Sequence, residues 1–159
     1  MSDRSFLETV LDKPGALTHY ANVVKGRMPK ARHRGVTVEI AQAEITTGGT
    51  KSTIFVAGIN SSARGFTNEQ LELLKTWSVR VAPCTAPGMK KGPHAEENIA
   101  AYLQSIGARG VRWSHAVVGA HMETARGSRS YVCPACRAMV ARVGGEIEDP
   151  HKVSRYSTV

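Results

Sequence analysis

The sequence predicts an α/β sandwich, a mixed β-sheet covered by helices. Three observations carry that expectation. Amphipathic helical stretches alternate along the chain with short apolar strands, rather than segregating from them. One strand candidate, STIFVAGIN (Ser52–Asn60), is apolar in both phases, which fits a strand covered on both faces. At 159 residues the chain suffices for one domain with a sizeable core but is short for two.

The elements follow in order. Phe6, Leu7, Val10 and Leu11 repeat at helical spacing, so MSDRSFLETVLDK reads as a short amphipathic helix. It lacks the basic-then-apolar layout of a signal peptide. KPGALTHY breaks the pattern. KGRMPKARHRG then packs five Lys or Arg into eleven residues around Pro29, and reads as a solvated connector or basic arm. Residues 1–35 are therefore expected as a helix plus connector, and 36–159 as the main body of a single globular unit.

VTVEIAQAEI (Val36–Ile45) alternates apolar and polar, as a half-buried strand does. With Ser52–Asn60 it makes a hairpin around Gly48-Gly49. Thr67-Asn-Glu-Gln70 is a capping box, followed by Leu71, Leu74 and Trp77 on one expected helix face. VAPCTAPGMKKG is a loop punctuated by Pro and Gly. It leads to Pro93, a residue suited to a helix first turn because it has no N–H to leave unsatisfied. That helix buries Ala95, Ile99, Leu103 and Ile106, and Gly107 ends it. VRWSHAVVGA (Val111–Ala120) is the next strand. CPACRAMVARVGG is a helix closed by Gly144-Gly145, and GEIED is a short last strand. No run approaches 18 apolar residues, so no membrane span is expected.

The formal charge is +8 and the pI about 9.8, which favours a polyanionic partner, nucleic acid first. Three cysteines are too few, and odd in number, for a disulfide framework. They point instead to a metal or redox role.

Cys133, Cys136, Val140 and Val143 share one helical face, and the valines mark that face as inward. At a helix N-terminus the dipole favours thiolate, the form that coordinates zinc. Catalytic zinc needs a third protein ligand and keeps a position for water. His94 is the best candidate, because it too opens a helix that faces the sheet. Glu96, two residues on, then stands where a carboxylate can take a proton from the bound water and pass it to a leaving group.

His94-Ala95-Glu96 followed by Cys133-Pro134-Ala135-Cys136 resembles the zinc-dependent nucleobase deaminase signature, H-x-E then P-C-x-x-C. The resemblance covers residues 36–148 and looks closest to the deaminase domains of bacterial polymorphic toxins. One departure is plain: Val132 stands where the family has proline before the first cysteine, and the proline falls inside the pair as Pro134. The resemblance implies a cytidine-deaminase-like three-layer sandwich. It implies His94, Cys133 and Cys136 as Zn2+ ligands and Glu96 as proton shuttle. It also implies cytosine-to-uracil conversion in nucleic acid, DNA ahead of RNA and single strands first.

Asn60, at the end of its strand, corresponds by position to the family asparagine that contacts the target nucleotide. Lys90 and Lys91 are expected at the rim of the site, on phosphate, and Tyr131 as a stacking platform for a base. The resemblance further implies an immunity protein as partner, and action in the bacterial cytoplasm after delivery within a larger toxin.

Other readings stay open at this level. They are an RNA-directed deaminase, a deaminase of free nucleosides or nucleotides, a structural zinc module, and a thiol–disulfide oxidoreductase. The last is disfavoured because only 23 residues follow Cys136. Cys84 has proline at position 87 in place of a second thiol and is expected to be incidental. Trp77 and Trp113 are expected as core residues, and His115 and His121 as core or surface histidines.

Overall fold

The computed structural model describes residues 13, 15–29, 35–60, 63–84, 94–115 and 134–148. The expected helix around Phe6–Leu11 lies outside them. The hairpin forms as the sequence predicts. β1 (Val38–Thr47) and β2 (Thr50–Ile59) pair antiparallel from Val38↔Ile59 to Thr47↔Thr50. Gly48 and Gly49 turn the chain with φ of 58° and 84°. A two-residue turn of type I′ has positive φ at both centres, which glycine supplies without a steric penalty.

Three shorter strands complete the sheet: β3 (Arg80–Val81), β4 (Arg109–Trp113) and β5 (Glu146–Ile147). The order is β3-β2-β1-β4-β5. β4 runs antiparallel to β1, while β3 and β5 run parallel to β2 and β4, so the sheet is mixed. β3 falls in a stretch the sequence reading assigns to a loop. Two residues are too few to show a period.

Four helices among the described residues cover the sheet: α1 (Ala16–Gly26), α2 (Asn68–Thr76), α3 (Ala95–Ile106) and α4 (Pro134–Val143). Val38 and Ile40 of β1 with Phe55, Ala57 and Ile59 of β2 pack against Leu17, Tyr20, Ala21 and Val24 of α1 and Leu74 of α2. The alternate residues Ala41, Ala43, Ile54 and Val56 pack against Ile99, Ala100 and Leu103 of α3 and Val140 of α4. The period-2 alternation of side chains thus feeds two separate cores, one per face. The result is compatible with a three-layer α/β sandwich.

α1 corrects the sequence reading, which passes over ALTHYANVVKG as a pattern break and basic connector. Leu17, Tyr20, Ala21, Val24 and Met28 all lie in the core. Their spacing is helical, but Pro14-Gly15 and the polar Thr18-His19 mask it. Lys25 is buried as well, not solvated. The helix start is closed from across the fold by Glu148, just after β5. Its carboxylate accepts from the N–H groups of Gly15 (3.2 Å), Leu17 (3.4 Å) and Thr18 (3.0 Å), and from Thr18 Oγ1 (2.9 Å). A helix N-terminus leaves such N–H groups without intrahelical partners, and an anion suits the positive end of its dipole.

α2 begins with the expected capping box. Its inward face is turned from the expected one: Leu71 is exposed and Gln70 is fully buried. Gln70 accepts from the Thr67 N–H and donates through Nε2 to the Val24 carbonyl on α1, at 3.0 Å. That bond between helices decides the rotation. α3 starts at Ala95 with His94 as its N-cap, so position 93 precedes the cap instead of opening the first turn; it ends as expected at Gly107, whose φ is 70°.

α3 sits unusually close to β2. A Cβ on Gly58 would lie 2.8 Å from the Ala95 carbonyl oxygen and 2.6 Å from Ile99 Cγ1. Only glycine admits the helix at this distance. Gly58→Val is expected to lower stability by about 1–3 kcal/mol through overpacking, read as a lower urea midpoint. Glu148→Ala is expected to cost about 3 kcal/mol by the same measurement, because it strips several buried donors of a charged acceptor.

Candidate metal centre

The first turn of α3 is held by two hydrogen bonds and by its close packing on Gly58. His94 is the N-cap in extended conformation, with φ −74° and ψ 167°. Its N–H donates to Glu97 Oε1 at 2.9 Å. Asn98 Nδ2 donates to the Ile59 carbonyl at the end of β2, at 2.8 Å. With Gly58 beneath it, this turn has a fixed height and position over the sheet.

α4 starts beside it. Cys136, in its first turn, is buried at 3% exposure, and Val140 one turn on is buried too, as the inward face requires. His94 Nδ1 lies 3.2 Å from Cys136 Sγ. The carboxylate of Glu96, also 3% exposed, joins them, and the donor atoms of the three residues all lie within 4.8 Å of one another. That is close enough to share one ion. His94 is exposed, so the cluster reaches the surface on the imidazole side. The two helix starts expected to meet are brought together.

The other expected site residues are not among the described members of this group. Cys133, Lys90, Lys91 and Tyr131 lie outside the described residues, as does His121. Asn60 lies at the end of β2, where its side chain accepts from the Thr37 N–H at 2.8 Å and donates to the Gly35 carbonyl at 2.7 Å. These bonds tie the approach to β1 onto β2. Cys84 is exposed, with Sγ 4.0 Å from the Ile59 carbonyl. Trp77 and Trp113 are core residues as expected. Tyr20 meets the first edge-to-face, and the Trp113 indole N–H donates to the Gly144 carbonyl at 2.9 Å. His115 is buried, its backbone N–H donating to Thr18 Oγ1.

Sequence reasoning missed Glu39. In the alternation of β1 it reads as a solvent-facing polar residue. The structure buries it completely, on the face covered by α3 and α4. No N–H or O–H donor among the described residues reaches either oxygen. Its carboxyl instead lies within hydrogen-bonding reach of the Glu96 carboxyl. Burial, followed by the Glu96 charge and the bond to Glu96, raises the Glu39 pKa well above the ordinary carboxylate value, against a smaller opposite pull from Arg137 on α4. No local signal marked it: the strand alternates as a half-buried one does, and its second covered face comes from neighbouring elements.

No protein-family model matches the chain, and no curated protein or solved structure matches it significantly. Among the described residues no helix is long and apolar enough to cross a membrane.

The buried acid makes stability depend on pH with a definite sign. Above its ordinary value of 4.5, the folded chain retains a proton on Glu39 that the unfolded chain has released. Wild-type stability therefore falls as pH rises from 4.5 through the native pKa. Glu39→Gln is expected to be the more stable protein at neutral pH. Its advantage should shrink by about 1.4 kcal/mol for each pH unit over which only the folded chain keeps the proton, and close near pH 4.5. Urea unfolding of both proteins across this range checks it.

Proposed function

We propose that this chain is a zinc-dependent hydrolytic deaminase that converts cytosine to uracil in nucleic acid, with single-stranded DNA as the leading substrate. The observation that carries this reading is the meeting of His94 Nδ1 and Cys136 Sγ at 3.2 Å, at two helix starts, with buried Glu96 in the same cluster. Imidazole nitrogen and thiolate sulfur are donors that suit zinc. Cys133, three residues before Cys136 in sequence, supplies the third ligand. Zinc, when bound, provides a water acidic enough to act as nucleophile near neutral pH.

The chain's own residues perform the proton work. Glu96 takes a proton from the water and delivers it to the ring nitrogen beside the attacked carbon. The hydroxide left would add to that carbon, its remaining proton would pass through Glu96 to the amino group, and the C–N bond would break to release ammonia. The net balance is water in and ammonia out. The exposed side of His94 supports access by a base swung out of its stack, which this chemistry requires. The excess of basic residues supports a polyanionic substrate over a free nucleoside. Lys90 and Lys91 would meet phosphate and Tyr131 would stack on a base, while the Asn60 side chain is engaged with Thr37 and Gly35. A role as the toxic domain of a larger bacterial protein, countered by an immunity protein, rests on the family resemblance alone.

Purified protein is expected to carry about one zinc per chain, measured by elemental analysis, and Cys136→Ala to lose it. Glu96→Ala is expected to keep the metal while uracil formation falls by about a hundredfold or more. Parallel assays on single-stranded DNA, duplex DNA, RNA and free cytidine separate the substrate classes. Folded, metal-free wild-type protein would sink the proposal.

A further inference from the structure

One edge of the sheet carries a cation to which the proposed reaction gives no task. Arg80 opens β3 at that edge, in register with Val56 of β2. Side chains in register on neighbouring strands take the same face, so Arg80 shares the Val56 face, which α3 covers. There its Nη1 donates to the Tyr102 hydroxyl on α3, over a long 3.4 Å. Among the described residues this is the one polar contact of either side chain. Arg27 is matched by Glu69, and Arg112 by Glu148 and Gln42, but no carboxylate among the described residues meets Arg80. A guanidinium offers five N–H donors, and a phenol that accepts from one of them still has its own O–H to give. Arg80 is exposed and Tyr102 half-buried, so these donors stand side by side at the surface.

From this pair the chain leads back to the candidate metal centre. Ala82 is buried in the same core as Ile99 and Leu103 of α3. Cys84 Sγ then lies 4.0 Å from the Ile59 carbonyl, which also takes the Asn98 amide one turn after His94. The segment from Arg80 to Cys84 thus follows α3 toward its start. Tyr102 stands about 12 Å from His94 along the helix, at the standard rise per residue. We infer that Arg80 and the Tyr102 hydroxyl together bind a backbone phosphate of the nucleic-acid strand, a few nucleotides from the base at the metal centre. The arginine fork matches two oxygens of one phosphate, and the phenol O–H completes the same site. The net charge of +8 favours a polyanion over a lone acidic side chain. Phosphate contacts set register and carry no sequence information, so the pair holds the strand without choosing the flanking base. The inference rests on the nucleic-acid reading of the site for the strand's destination, and on the donor pair alone for the phosphate.

The test uses the full-length protein as purified, carrying Glu96→Ala so that the strand is bound and not consumed. The probe is a fluorescent single-stranded DNA with a single cytosine. Adding Arg80→Gln is expected to weaken binding about tenfold. It should also flatten the slope of log affinity against log salt by about 0.7, the share of one phosphate on a single strand. Arg80→Lys keeps the charge and should keep the slope while losing part of the affinity. Tyr102→Phe is expected to cost about threefold with the slope unchanged. Lys75→Gln, the same change of charge on α2, should do less to both. Replacing one phosphate at a time by an uncharged methylphosphonate locates the contact: one linkage should matter to the parent protein and be indifferent to Arg80→Gln. With Glu96 restored, Arg80→Gln should raise KM and leave kcat unchanged. Parent affinity and slope in Arg80→Gln, or no linkage that separates the two proteins, would overturn the inference, and an active wild type would then leave the deaminase reading standing. If the expected binding losses occur in a protein whose wild type converts no cytosine on any substrate, the phosphate site stands and the deaminase reading falls.

Discussion

The seating of α3 directly on Gly58 is the constraint from which the rest of the site follows. A helix held off the sheet by ordinary side chains would place its first turn well clear of the strands. Here the Ala95 carbonyl and Ile99 occupy the volume a Cβ would need. The descent of the helix is locked by the Asn98 amide on the Ile59 carbonyl and by Ile99, Ala100 and Leu103 packing on Ala41, Ala43 and Val56. Small residues on the sheet give depth, and large ones on the helix fill it. His94 and Glu96 inherit their positions from that packing. α4, set against the same face, brings Cys136 to His94.

The opposite face is organised by a different kind of interaction. Glu148 reaches from the end of β5 to the start of α1 and satisfies donors of its first turn, and Arg112 stands 4.0 Å from the same carboxylate. Thr18 accepts in turn from the His115 backbone, while Ser114 Oγ accepts from the Ile40 N–H. Residues over a hundred positions apart are joined where β4, β5 and α1 meet. A buried charge is tolerable here because nearly every lone pair has a donor. Glu148 and Glu39 are the same residue type at similar depth with opposite solutions. One is surrounded by donors, while the other lies beside a second carboxyl and has its pKa raised by burial.

That contrast explains why the region beneath α3 departs from the rules the rest of the fold obeys. Proteins place polar groups inside where they can be bonded, and exceptions concentrate at functional sites. The Glu39–Glu96 contact is such an exception, adjacent to an imidazole–thiol pair. Two acids, one imidazole and one thiol in a small volume cost stability. Their coincidence gives the site reading more weight than any one of them alone.

Local pattern by itself determined the hairpin, the capped helix at Asn68, the extent of α3 with Gly107 as its stop, and the inward face of α4. Each of these depends on spacing and turn chemistry within a few residues. The meeting of His94 and Cys136 was legible as well, because each opens a helix whose apolar face is plain. Tertiary structure decided what spacing cannot carry. α1 was masked by Pro14-Gly15 and completed by a carboxylate from the far end of the chain. Leu71 faces out because Gln70 bonds to α1. Glu39 is buried because β1 is central and covered on both faces, a fact about neighbours rather than about the strand. Sequence periodicity reports which side a residue takes, and only packing reports what waits on that side.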